Sequence, residues 1–199
     1  MKKKIENRKR IFSLKKPFYE ALNYIKESRN YIYFIVGVFF FSALFGFFYS
    51  EKLSFFDEIL KNLIDRTEGL DGLELMSFIF NNNALNAFMG LFFGVVLGIF
   101  SIINAGTNGA VLGYVFSKVY AISGFNDFWR ILPHGIFELP AIFISLGLGI
   151  KFGTFIFSKN IKREFVRRFY YSFLSFVLVI IPLLVVAAII EGLLISLFK

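Results

Sequence analysis

Residues 31–49 read YIYFIVGVFFFSALFGFFY, nineteen positions without a charge. A helix needs roughly 20 mostly apolar residues to cross the hydrocarbon of a bilayer. This stretch meets the requirement and places the chain in a membrane. Residues 85–103, LNAFMGLFFGVVLGIFSII, are also uncharged and read as a second span. A third runs over Ala105–Ile122 with only Lys118 charged. The fourth, His134–Phe157, contains His134, Glu138 and Lys151. The fifth, Tyr170–Phe198, is broken only by Glu191 and is long enough to tilt or protrude.

The whole composition agrees. The 199 residues are 57% hydrophobic and 18% charged, with 30 phenylalanines and no cysteine. Mean hydropathy is +0.67. A soluble domain has about 25% charged residues, so that class is excluded, as are a disordered chain and a disulfide scaffold. The segments are apolar all round rather than alternating, which argues against a barrel. The expected fold is an all-α integral membrane protein: a bundle of about five transmembrane helices with amphipathic interfacial helices beside it.

Lys and Arg in short connections set orientation. Residues 1–30 hold ten, and the 158–169 loop holds Lys159, Lys162, Arg163, Arg167 and Arg168. Five spans put both on the cytoplasmic side. The 50–80 loop carries seven acids against three bases and falls outside. The reading is a multi-pass cell-membrane protein with its N-terminus in the cytoplasm and its C-terminus outside. Residues 1–30 form a basic cytoplasmic segment, and 31–199 form one transmembrane domain. The net charge of +8 serves topology and anionic headgroups, not nucleic acid. Span 1 is a retained anchor, since no small-residue cleavage site follows it.

Two segments outside the spans are amphipathic. After Pro17, Phe18, Leu22 and Ile25 recur at helical spacing. On the outer side Leu53, Phe56, Leu60 and Leu63 do the same. Each lies on a leaflet or packs on the bundle.

Ionisable groups in hydrocarbon usually face the bundle or a wet cavity. Counting depth from the span ends puts His134, Glu138 and Glu191 in the outer third. Asn82, Asn83 and Asn86, at the start of span 2, share that level. His134 and Glu138 are four apart, on one helix face. A shared buried polar cluster is expected, against the plainer reading of capping asparagines and headgroup-reaching glutamates. Asn104, Asn108 and Lys151 make a weaker inner group, with Lys151 placed to snorkel. Pro140 and Pro182 free the carbonyls of Ile136 and Leu178, so a kinked or re-entrant fourth span is expected.

Gly90, Gly94 and Gly98 form GxxxGxxxG, and Gly109 and Gly113 repeat the spacing. Such stripes let helix backbones approach closely. Packing within one chain is expected. Catalytic patterns are absent. One histidine and no cysteine leave no metal set, His134-x-x-x-Glu138 is not HExxH, and GxSxG and a P-loop are missing. No cofactor is expected.

Residues 132–141, LPHGIFELPA, resemble the signature of the stage II sporulation protein M family and related uncharacterised archaeal and bacterial membrane proteins. Asn82, Asn83, Asn104, Asn108-Gly109 and Ile190-Glu191-Gly192 fit it too, over roughly 75–196. The resemblance implies a multi-spanning helical protein without enzymatic activity. Its named member belongs to an engulfment complex with a cell-wall hydrolase and a membrane partner. The first reading is therefore a membrane scaffold or complex subunit, with the bilayer, other membrane proteins or itself as partners. The alternative is a small transporter or channel using the His/Glu/Asn cluster. The mid-bilayer stretch is almost entirely apolar in this reading, which favours a structural plug.

Overall fold

The computed structural model describes residues 15–125 and 128–197, and their side chains over 15–125 and 135–194. The basic residues from Lys2 to Arg10 and the His134 side chain lie outside these. Among the described residues the elements are all helical: α1 (Lys15–Glu27), α2 (Arg29–Phe48), α3 (Phe56–Thr67), α4 (Gly72–Phe92), α5 (Ile99–Ser123), α6 (Phe128–Gly153), α7 (Ile161–Ser175) and α8 (Ile181–Leu197). Four segments are long and apolar enough to cross a membrane: Arg29–Phe48, Ile99–Ser123, Gly135–Phe157 and Ile161–Leu194.

The expected second span, 85–103, is not one helix. Its first part ends α4, and its last part begins α5. Between them the chain reverses through a 3-10 turn at Phe93–Val95. Leu97 at φ +56° and Gly98 at φ +72° complete the reversal. Gly98 is the N-cap of α5, and its left-handed conformation costs glycine little. Hydropathy misses this turn because its residues are as apolar as the helices it joins. The real start of α4 is thirteen residues earlier, where Asp71 and Glu74 make a reciprocal capping box. Residues 72–80 of the expected outer loop are therefore helix.

Contacts fix the helix directions. Gly109 meets the Phe39 carbonyl and Gly113 that of Ala43, so α2 and α5 run parallel. Ser145 Oγ donates to the Ala87 carbonyl at 2.5 Å, and Gly94 meets Gly149, so α4 and α6 run parallel. Gly192 stands at Met76 and Phe176 at Phe88, so α4 and α8 are antiparallel. Gly147 at Ile32 and Phe143 at Phe39 make α2 and α6 antiparallel. Thus α2, α5 and α8 run one way, and α4 and α6 the other. α6 is central, with Ala141, Ile142, Leu146 and Leu148 buried.

The prolines act differently. α6 is helical across Pro140, so a re-entrant fourth span is not formed. Before Pro182 the ladder widens to a π turn at Phe176–Ile180. A helix interrupted by a missing N–H relaxes in this way.

Candidate functional site

Among the described residues, three groups of polar side chains stand out inside the bundle, at three levels. At the level nearest the α4 start, Glu138 on α6 has Asn83 on α4 and Glu191 on α8 within electrostatic reach. The α4–α6 register and the Gly192–Met76 contact bring these three helices together there. An amide donor is what a carboxylate withdrawn from water needs. Asn82 Nδ2 donates to Asn83 Oδ1 at 3.4 Å.

Asn86 is elsewhere. Its Oδ1 accepts from Asn104 Nδ2 at 2.5 Å. Asn108 Nδ2 donates to both the Asn104 carbonyl and its Oδ1, each at 2.9 Å. The expected split, Asn86 outside with Asn104 and Asn108 inside, is thus replaced by one asparagine trio spanning α4 and α5. The cause is the turn at 93–98. It folds α4 and α5 back so that residues about equally far from it sit opposite each other.

Lys151 does not join the asparagines. Its ammonium lies 3.4 Å from Glu27 Oε2 and 3.9 Å from the Tyr24 ring centroid. The Lys151 side chain is only 9% exposed, so this is a buried cation held by a carboxylate and a π face. Burial pushes the Tyr24 phenol up to about 12. Arg168 donates to the Lys151 carbonyl and to Thr154 Oγ1 at 2.7 Å. Glu27, Tyr24 and Arg168 tie α1, α6 and α7 into one junction. Helical spacing in α1 hinted at an apolar face, but the buried residues are Ala21 and Tyr24, while Phe18 and Leu22 stay exposed.

At the opposite end Asp57 accepts from Tyr114 Oη at 2.6 Å and pairs with Lys118 at 3.6 Å. Phe56 packs edge-on to Tyr114. This pins the start of α3 to α5. Farther along, Ile59, Leu63 and Ile64 are exposed. Asp57 and Tyr114 carry no motif that would have marked them as partners.

The glycines are contact points. Gly90, Gly94 and Gly98 belong to α4, the turn and the α5 cap, and all three face α6, at Leu146, Gly149 and Ile150. Gly153 meets the Gly94 carbonyl in return. Buried Ser101 donates to the Gly90 carbonyl at 2.7 Å, a bond that periodicity gave no sign of. Gly109 and Gly113 seat on α2.

Comparison with known proteins places this architecture. An uncharacterised protein of Methanocaldococcus jannaschii is 30% identical over 199 residues, covering 92% of this chain and 88% of that protein. No solved structure matches. The stage II sporulation protein M family matches residues 35–194, which takes in α4, α5, α6 and the three polar groups except Glu27 and Tyr24. The chain belongs to the stage II sporulation protein M family.

Proposed function

We propose that this chain is a non-enzymatic frame subunit of a membrane complex. It crosses the bilayer five times, N-terminus in the cytoplasm and C-terminus outside. The fifth crossing is α4, whose 21 residues run beside α6 at the same depth. The observation that carries the reading is backbone-to-backbone packing at Gly94, Gly149 and Gly153 and at Gly109 and Gly113. Helices in such contact have no side-chain layer on which to slide. They suit a fixed frame. α3, pinned at its start, is the element offered to a partner outside. In mild detergent the chain from its native membranes should migrate with a second protein in fixed ratio, and a photo-crosslinker at Ile59 should reach that protein. A chain that runs only with itself and lipid refutes the reading.

One observation favours a second reading, a small transporter or channel. The asparagine trio sets three amides together between α4 and α5, and Asn83 is one turn from Asn86. In liposomes under a proton or cation gradient, this reading requires Glu138→Gln to abolish flux without lowering thermal stability.

A further inference from the structure

Between α1 and α2 the helix breaks at a single residue. Ser28 sits at φ −92° and ψ 1°, and its hydroxyl donates to the Tyr24 carbonyl at 2.6 Å. At this corner lies an open pocket of about 480 Å³, lined by Asn23, Lys26, Glu27, Arg29 and Asn30. Glu27 is taken by the buried Lys151, at 3.4 Å. Lys26 and Arg29 have no ion-pair partner among the described residues. Two cations and two amides thus line a pocket whose one carboxylate is already paired. That is a set of donors for the oxygens of an anion.

Depth and surroundings select the anion. α2 has 20 residues, about 30 Å of helix, which matches the thickness of the hydrocarbon core. Arg29, its first residue, therefore stands where the hydrocarbon ends and the headgroups begin. One turn further along α2, on the faces of Arg29 and Asn30, Tyr33 is 69% and Phe34 52% exposed. On the other side of the corner α1 packs on α7, through the Tyr24–Tyr171 stack and the Ser175–Ala21 hydrogen bond, and leaves Phe18 and Leu22 exposed. The pocket is flanked by apolar surface of the kind that lipid covers and a small water-soluble anion does not. We propose that the α1–α2 corner binds the phosphate of an anionic phospholipid, with the acyl chains laid over Tyr33 and Phe34. This rests on the membrane-spanning reading above. Lys26 and the Arg29 fork take the phosphate oxygens, and the amides of Asn23 and Asn30 take the remaining headgroup oxygens. Basic pockets beside membrane helices hold anionic headgroups in this way. The lipid fastens α1 to the leaflet beside the Lys151 junction.

Native mass spectrometry of the chain, stripped of lipid in detergent and titrated with phosphatidylglycerol, tests this. One phosphatidylglycerol should be retained per chain at concentrations where phosphatidylcholine, whose choline cation would meet Lys26 and Arg29, is lost. Lys26→Gln with Arg29→Gln should weaken retention about thirtyfold. Lys162→Gln with Arg163→Gln removes the same charge from exposed positions outside the pocket and should leave retention unchanged. Thermal melts check that both variants fold; if the first does not, a cross-link decides alone. In nanodiscs with equal parts of the two lipids, a photo-crosslinker at Asn30 should add the mass of phosphatidylglycerol in preference to phosphatidylcholine. Equal weakening in the two double variants, equal retention of the two lipids or an Asn30 cross-link without preference overturns the proposal. So does displacement of the lipid by excess inorganic phosphate, which marks a site for a free anion. Release of the chain by alkaline carbonate would instead sink the membrane reading, in an assay independent of lipid counting.

Discussion

Gly94 and Gly149 touch through their backbones: a methyl group added at Gly94 would stand 2.7 Å from the Gly149 Cα. Ser101 Oγ closes the same spot, 2.5 Å from that added carbon. The turn and α6 thus meet backbone to backbone, with only the small Ser101 side chain of α5 beside them. Gly94→Leu should lower stability by about 3 kcal/mol or more, since overpacking a dense core typically costs about 1–3 and here backbone must move. Gly37, which has open space around it, should accept Ala with no loss. Thermal unfolding in detergent compares the two.

The carboxyl of Glu138 should behave as a hydrogen-bond acceptor within the bundle. Glu138→Gln keeps shape and a carbonyl for the Asn83 amide. Glu138→Leu leaves that amide unpaired, at about 1–3 kcal/mol. Melting temperature should therefore fall more for Leu than for Gln. Equal, unchanged values for both would show that Asn83 and Glu138 form no stabilising hydrogen bond.

Lys151 and Glu27 should show the asymmetry of a buried ion pair. Lys151→Leu removes the charge together with its desolvation cost and should be near neutral. Glu27→Gln leaves the ammonium with the Tyr24 face as its main compensation. Because Glu27 is itself 58% exposed, the loss should be modest, about 1 kcal/mol. Its local sign would be faster proteolysis within α1. A Lys151→Leu variant that is much the worse of the two would reverse this account.

The sequence disclosed the membrane class and four long apolar segments, through runs broken only by Lys118, His134, Glu138, Lys151 and Glu191. It hid the α4–α5 turn, because a reversal made of Phe, Val, Leu and Gly has no polar signature. Only Gly98 sits in a conformation that needs its residue type. That one miss displaced Asn86. Counted from Leu85 it lies in the first turn of a span, but counted from the Asp71 cap it lies four turns in, opposite Asn104. Glu138 and Glu191 were legible because a charge in an apolar run is conspicuous wherever the helix ends are drawn. The partners of Lys151 were not, since Tyr24 and Glu27 lie over 120 residues away and α1 carries no mark of what it packs on.

The last prediction concerns orientation. The ends of α1 and α6, the start of α7 and the 93–98 turn lie at one end of the bundle, as the Lys151–Glu27 and Gly98–Ile150 contacts show. Lys159, Lys162, Arg163, Arg167 and Arg168 cluster at that end. The opposite end holds the Asp71 cap and α3, with Asp57, Glu58 and Asp65. Cationic residues are retained on the cytoplasmic side, so the first end should face in. In sealed cells a membrane-impermeant maleimide should label Asp71→Cys and leave Lys159→Cys unreacted until the membrane is opened. The cysteine-free background makes each signal specific. Labelling of Lys159→Cys in intact cells would invert the protein. Labelling of both positions would mean that α4 does not cross beside α6.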